Sequence, residues 1–152
     1  MISFKNDYSE VAHKDILDLL NKVSLEQNNG YGLDKHSEKA KKLIQAELKN
    51  DTCDIHFLVG GTSCNKIAIS HILRPHQAVI SVASGHINVH ETGAIEATGH
   101  KILTVKGIDG KITKDEIIDV VRTHTDEHMV MPKLVYISNS TEIGTIYSKK
   151  EL

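Results

Sequence analysis

The sequence predicts an α/β protein with a mainly parallel sheet and flanking helices. After residue 51, short β-prone apolar runs alternate with segments of helical period, which is typical of that class. Two amphipathic segments precede this alternation. Residues 1–152 are enough for one domain with a core, and they are predicted to form a partial domain. Residues 1–50 would be its helical N-terminal segment and residues 51–152 its alternating β/α part.

Apolar residues recur at helical spacing in both N-terminal segments. Residues 12–23 carry such a stripe, and residues 37–48 carry a second one. The stripes consist of Ile16, Leu17, Leu19 and Leu20 in the first segment and of Ala40, Leu43, Ile44 and Leu48 in the second. Between them, "EQNNGYG" is rich in turn formers. We therefore expect two helices joined by a turn.

The alternating part is predicted element by element. The expected strands are residues 55–59, 77–82, 101–105 and 134–138, the last of them buried, and the expected helices are residues 62–73, a short helix within 86–97, and 117–122. Thr113 and Glu116 form a capping-box pattern before the helix at residues 117–122. "SKKE" at residues 148–151 is a second such pattern, which predicts the opening of a further helix and suggests a cut chain.

Composition excludes several classes of partner. Net charge is −2 and no basic stripe occurs, so we expect no nucleic-acid partner. No apolar run approaches a membrane span, so no membrane partner is expected. Cys53 and Cys64 are the two cysteines, and without a signal peptide they are interpreted as reduced thiols of a cytoplasmic protein.

The stretch "VGGTSCNK" at residues 59–66 joins a predicted strand to a predicted helix. Amides at a helix N-terminus bind anions because they lack intrahelical partners and lie at the positive end of the helix dipole. Gly60, Gly61, Thr62 and Ser63 supply such amides together with two hydroxyls. The spacing fits neither the Walker loop nor the dinucleotide fingerprint. A phosphate site and a plain turn capped by Thr62 both remain open on chemistry alone.

Ten histidines raise the question of a metal site. His86 and His90, followed by Glu91, have i, i+4 spacing, as do His124 and His128. The flanking residues do not indicate strong helices, and no C-x-x-C or H-E-x-x-H occurs. We expect no metal, and a metal-binding module on His86 and His90 is kept as an alternative. The other histidines are interpreted as surface or structural groups, with His56 ambiguous; they are His13, His36, His71, His76 and His100.

Five stretches together resemble the threonine aldolase branch of the aromatic amino acid β-eliminating lyases. They are "NDYSE", "GYGLD", "FLVGGTSCNK", "ASGHINVHETGAIEATGHKILTV" and "PKLVYISNSTEIGTIY", in order along the whole chain. These enzymes depend on pyridoxal 5′-phosphate (PLP) and have the fold type I large domain. The resemblance implies the N-terminal part of that domain. It also implies retro-aldol cleavage of L-threonine or a related β-hydroxy amino acid to glycine and an aldehyde, by a homo-oligomer, a dimer or tetramer, in the complete enzyme.

The resemblance also implies roles for individual residues. The cofactor phosphate would lie at Gly60, Gly61, Thr62 and Ser63. His86 would stack on the pyridine ring as the catalytic histidine, and Asn139 would lie near the ring. The substrate site would include Asn6, Asp7 and Tyr31, with the turn at Tyr31 and Gly32 approaching the active site, often across a dimer interface.

The chain departs from the family pattern in three respects. The Schiff-base lysine, and the aspartate of an "LDGAR"-like strand that keeps the ring nitrogen protonated, are implied beyond residue 152. Cys64 lies in the phosphate loop, and Lys66 follows it. Ser140, Thr141 and Glu142 stand where many members carry a candidate base for the β-hydroxyl proton, so that base is unassigned. We expect this chain alone to be inactive, and the alternative is a non-catalytic remnant that binds PLP or phosphate weakly or serves as an assembly partner.

Overall fold

The computed structural model describes residue 6 and residues 8–152. The chain divides into two compact units, an N-terminal unit that runs to Phe57 and a C-terminal unit, Leu58–Leu152. Each is described by itself below.

The N-terminal unit contains two helices, α1 (Lys14–Val23) and α2 (Lys35–Leu48), as the apolar spacing predicted. Asp34 caps α2, because its carboxylate accepts hydrogen bonds from the amides of His36 and Ser37. The hydrogen bond from the Ser37 hydroxyl, joined by those from the amides, lowers the pKa of this carboxyl below its usual value. The start of α2 is therefore set by one short acidic side chain.

The C-terminal unit contains helix α3 (Gly60–Ile72), strand β1 (Gln77–Val82), the short helix α4 (His86–Val89), a 3₁₀ turn at Glu96–Thr98, strand β2 (Lys101–Val105), helix α5 (Lys114–Thr123) and strand β3 (Met131–Val135). The three strands form a parallel sheet in the order β2-β1-β3. Ile80 pairs with Leu103 on one side and with Val135 on the other. The predicted class, a mainly parallel sheet with flanking helices, is confirmed.

Helices cover both faces of this sheet. On one face, α3 and α4 pack against β1 through a buried cluster, which comprises Ile69, Leu73, Val79, Ile87 and Ile95. On the other face, the residues of α5 pack around a second cluster, which comprises Ala78, Ile80, Leu103, Ile112 and Tyr147. The central strand β1 is buried on both faces, which is typical of a mostly apolar strand in the middle of a parallel sheet.

Two expectations about individual elements were wrong. Residues 55–59 form no strand, since no described segment pairs with them and a strand without a ladder leaves its amides unbonded. Strand β3 begins three residues earlier than predicted and alternates between exposed and half-buried positions. At residues 148–151 the expected capping contact is present: the chain makes one turn, in which the Glu151 carboxylate accepts a hydrogen bond from the Ser148 amide at 2.6 Å.

None of the helices in the described part of the chain is both long enough and apolar enough to cross a membrane.

Candidate functional site

Helix α3 begins with the two glycines of the anion-loop sequence. It starts at Gly60, two residues before the predicted boundary, so Thr62 and Ser63 lie in its first turn. Val59 holds the N-cap position, and no side chain among the described residues caps this end of the helix. The alternative in which Thr62 caps a plain turn is therefore wrong. The first amides of α3 have no intrahelical acceptor, which is the arrangement that suits an anion.

The loop is open to an approaching group. Gly60 has a φ of +76°, a left-handed conformation that glycine adopts without strain. Neither Gly60 nor Gly61 has a heavy atom within 4 Å of an added Cβ. Gly60, Gly61 and Thr62 are exposed, and Ser63 is half-buried. A phosphate could contact the backbone here without displacing a side chain.

His86 is the first residue of α4, in the loop that leaves the carboxyl end of β1. Its Nδ1 atom lies 2.9 Å from Oε1 of Glu91. The imidazole is 40% exposed, whereas the Glu91 side chain is fully buried. One edge of the ring is thus fixed by a buried carboxylate while part of the ring faces outward.

Asn65 connects this histidine to the helix that carries the glycine loop. It lies in the second turn of α3, and its Nδ2 donates a hydrogen bond of 2.6 Å to the same Glu91 Oε1. The other carboxylate oxygen, Oε2, is buried and has no hydrogen-bond partner among the described residues. The glycine loop and His86 are therefore parts of one locally bonded arrangement.

Asn139 follows β3, the strand beside β1. The carboxyl ends of neighbouring parallel strands lie at one sheet edge, and ligands of open α/β sheets bind at that edge. The residues that follow β1 and β3, including His86 and Asn139, share this edge. The Asn139 side-chain oxygen accepts a hydrogen bond from the Tyr147 amide at 3.1 Å, which ties down the segment after β3.

The expected substrate residues belong to the N-terminal unit. Tyr31 is fully exposed and has a φ of +63° in the turn before α2. Asn6 accepts hydrogen bonds through Oδ1 from the amide of Tyr8 and the hydroxyl of Ser9. Asp7 lies outside the described residues. The structure thus gives the conformation of the turn that carries Tyr31.

No group of three or more His, Cys, Asp or Glu residues within the described ranges could hold a metal ion. The rings of His86 and His90 lie 5.5 Å apart, centre to centre. His124 contacts the Val120 carbonyl, and His128 contacts Asp126. In the described part of the chain, neither i, i+4 pair is accompanied by a third potential metal ligand.

The other histidines are exposed or satisfied, as predicted. His100 is buried, and its two ring nitrogens contact the Thr98 hydroxyl at 2.8 Å and the Leu73 carbonyl at 3.3 Å. His56, the ambiguous one, is exposed.

Sequence reasoning missed Asn65 altogether and noted Glu91 only as the neighbour of His90. A signal for Asn65 was present, because it stands four residues before the buried Ile69 and so shares its helix face. A polar residue on a buried face needs a partner. No comparable pattern singled out Glu91, whose burial depends on the loop between α4 and β2.

Comparison with known proteins gives consistent results. A family model described as "Beta-eliminating lyase" matches residues 16–152. Two bacterial proteins named low specificity L-threonine aldolase are similar to the chain. The one from Pseudomonas sp. (strain NCIMB 10558) is 30% identical over 135 residues, which are 88% of this chain and 39% of that protein. The one from Pseudomonas aeruginosa is 30% identical over 124 residues, 80% of this chain and 36% of that protein.

A solved structure, that of the threonine aldolase of Leishmania major, superposes with a TM-score of 0.92. It is 51% identical, and the match covers 96% of this chain and 43% of that one. The fold is therefore that of a portion of this aldolase structure. The chain spans less than half the length of each of these three proteins.

Proposed function

Because the chain belongs to the beta-eliminating lyase family, we propose that it forms the cofactor-binding N-terminal part of a PLP-dependent threonine aldolase. The reaction would be cleavage of L-threonine or a related β-hydroxy amino acid to glycine and an aldehyde. The names of the relatives support this substrate class. We further propose a cytoplasmic homo-oligomer, a dimer or tetramer, as the working form.

One observation carries the proposal: Asn65 and His86 both contact Glu91 Oε1, which joins the uncapped helix to the exposed imidazole. The donor set fits PLP, since amides and hydroxyls suit its phosphate and a half-exposed aromatic ring suits its pyridine. Gly60, Gly61, Thr62 and Ser63 would hold the phosphate. His86 would lie against the ring, and Asn139 would contact it from the neighbouring strand end.

PLP, when bound, supplies the electron sink for breaking the Cα–Cβ bond of the amino acid. The residues of this chain contribute binding and orientation. The α3 amides hold the phosphate end, and the imidazole of His86 restricts the ring to one plane. Holding both ends of a ligand reduces the freedom that must be lost before reaction. Asn6, Asp7 and Tyr31 would contact the amino acid, as the family resemblance implies.

A binding experiment tests this assignment. The purified chain is dialysed against PLP and, separately, against pyridoxal, which lacks the phosphate. We expect PLP to bind and pyridoxal to bind at least about tenfold more weakly, because the α3 amides recognise the phosphate. Inorganic phosphate should compete with PLP. Equal binding of the two compounds, or none of PLP, would contradict the proposal.

A further inference from the structure

We propose that Glu91 is a positioning residue for His86, and that a hydrogen bond from Asn65 holds the Glu91 carboxylate in place. The carboxylate would keep the imidazole proton on Nδ1 of His86 and thereby set the orientation of the ring that faces the cofactor. This inference rests on the proposed function, in which His86 lies against the pyridine ring. It adds two residues, Asn65 and Glu91, that touch neither phosphate nor substrate in that assignment. Both would act through His86.

The proton assignment follows from the chemistry of the contact. An ionised carboxylate can only accept hydrogen bonds, and Glu91 Oε1 lies 2.9 Å from Nδ1 of His86. Nδ1 must then carry the proton. Nε2, on the opposite side of the ring, is left to act as an acceptor whenever the imidazole is neutral. A histidine held in this way has one defined tautomer and one defined orientation.

Asn65 makes the carboxylate a rigid partner. Glu91 Oε1 receives donors from two directions, Nδ2 of Asn65 at 2.6 Å and Nδ1 of His86 at 2.9 Å. Rotation of the carboxylate would break both hydrogen bonds. Since Asn65 lies one turn beyond Gly61 on α3, a shift of the phosphate loop would be transmitted to the imidazole. The phosphate loop and the imidazole, the two ends of the proposed cofactor site, are thus held at a fixed position relative to each other.

Stability alone does not account for this carboxylate. Its side chain is fully buried, and Oε2 has no partner among the described residues. A buried unpaired acceptor carries a desolvation cost, and that cost is larger when the group is charged. Apolar residues of similar volume often replace buried ion pairs without loss of stability. Orientation of His86 explains why a carboxylate occupies this position.

The test is nuclear magnetic resonance of the whole chain labelled with ¹⁵N-histidine, without cofactor, at a pH about 1.5 units above the ordinary histidine pKa of about 6.5. Long-range ¹H–¹⁵N correlations report which ring nitrogen carries the proton. The His86→Gln variant assigns the signals by their disappearance. We expect Nδ1 of His86 to be protonated. An unprotonated Nδ1 overturns the proposal.

Two variants and a matched control extend the test. Glu91→Gln keeps the shape but can turn its amide nitrogen toward Nδ1 and donate to it, so part of the population should show the Nε2–H tautomer. Asn65→Ala removes one of the two hydrogen bonds to Oε1 and leaves the carboxylate free to rotate away from Nδ1, so mixed tautomers are expected there too. Glu96→Gln changes an exposed glutamate five residues away and should leave the His86 signals unchanged. Unchanged His86 signals in both Glu91→Gln and Asn65→Ala would overturn the proposal. If Glu91→Gln does not fold, the wild-type spectrum and Asn65→Ala decide.

Binding of PLP by the same variants separates this inference from the proposed function. Glu91→Gln and Asn65→Ala should bind PLP about tenfold more weakly than the wild type, which is a typical loss when a residue that orients a direct ligand is replaced. Glu96→Gln should bind PLP as the wild type does. If no variant and no wild-type chain binds PLP, the proposed function fails while the tautomer result still stands. Loss of the Nδ1 proton with undiminished PLP binding overturns the positioning role.

Discussion

The hydroxyl oxygen of Tyr147 accepts a hydrogen bond of 2.7 Å from the backbone amide of Ile112, and both residues are buried. Tyr147 lies in the same apolar cluster as β1 residues Ala78 and Ile80. The bond therefore joins the segment after β3 to the turn before α5, inside the core that supports the sheet. The buried Ile112 amide would lose this acceptor if the hydroxyl were removed.

We expect Tyr147→Phe to lower the free energy of unfolding of the C-terminal unit by about 1–3 kcal/mol, the cost of a buried amide without a partner. Urea denaturation followed by circular dichroism would measure the change. Tyr8→Phe is the matched control, because Tyr8 is 81% exposed and should give almost no change. Equal stability of the two variants would show that the Ile112 amide finds another acceptor.

Gly107 and Gly99 form a pair that separates backbone strain from steric overlap. Both have left-handed backbones, with φ of +72° and +84°. A Cβ at Gly107 would overlap Val82 Cγ2 and lie 2.8 Å from the Lys111 carbonyl oxygen, whereas nothing lies within 4 Å at Gly99. Gly99→Ala should lower the free energy of unfolding by about 1–2 kcal/mol through backbone strain alone. Gly107→Ala should lower it by about 1–3 kcal/mol more, because the added methyl group also overlaps its neighbours, and urea denaturation would measure both changes. An equal loss of stability in the two variants would contradict the overlap.

The capping box of α5 predicts a pH-dependent stability. Burial raises the pKa of the Glu116 carboxyl, but hydrogen bonds from the Thr113 and Gly107 amides and the Thr113 hydroxyl outweigh it, so the pKa lies below the ordinary 4.5. Folding therefore favours the charged form. This contribution is fully present above pH 4.5 and is lost as the pH falls through the lower folded-state pKa.

Glu116→Gln should consequently destabilise the chain by about 1–2 kcal/mol at neutral pH, because the amide nitrogen of glutamine cannot accept the hydrogen bonds that one carboxylate oxygen accepts. The difference from wild type should shrink as the pH falls through the folded-state pKa, because protonation removes the charge of the wild-type carboxyl. Urea denaturation at neutral pH and at a series of lower pH values measures both quantities. Glu127→Gln, at an exposed position, serves as the control. A difference that does not change with pH would contradict the carboxylate's role.

The elements that the sequence predicted well are those whose formation depends on their own residues. Strands β1 and β2 match the predicted ranges, and the capping box at Thr113 forms as expected. Residues 55–59 failed as a strand because an apolar run specifies a strand only together with a neighbour. Strand β3 begins before Pro132, at an edge with an irregular register, which an edge strand tolerates.

The candidate site was predictable only in part for a similar reason. The glycine loop and His86 can be recognised in the sequence from their residue types and spacing. The contact that joins them is not, because it runs between residues 26 positions apart, Asn65 and Glu91. Helical spacing marks Asn65 as facing inward, but only the folded chain shows that a buried carboxylate meets it.

Gly61→Ala should separate stability from cofactor binding. The position lies in the first turn of α3 with open space around its Cα, so alanine fits and favours the helix by up to about 1 kcal/mol. The added methyl group would meet the phosphate of PLP. We expect an unchanged or higher melting temperature and at least about tenfold weaker PLP binding by dialysis. Ser70→Ala, later in the same helix, should leave PLP binding unchanged. Undiminished binding by Gly61→Ala would place the phosphate elsewhere.

The 152-residue chain with PLP should cleave threonine no faster than PLP alone. The family resemblance places the lysine that anchors the cofactor covalently, and the aspartate that keeps the ring nitrogen protonated, outside these residues. Without that aspartate, the negative charge that develops at Cα in the transition state is poorly stabilised, and only stabilisation of the transition state accelerates the reaction. Acetaldehyde and glycine formed from threonine are measured for the purified chain with PLP and for PLP alone.

Turnover far above the cofactor-only rate, after removal of any contaminating full-length aldolase, would contradict this prediction. It would show that another lysine anchors the cofactor. Lys66, directly after the glycine loop, would be tested first, and Lys66→Ala should then abolish that turnover.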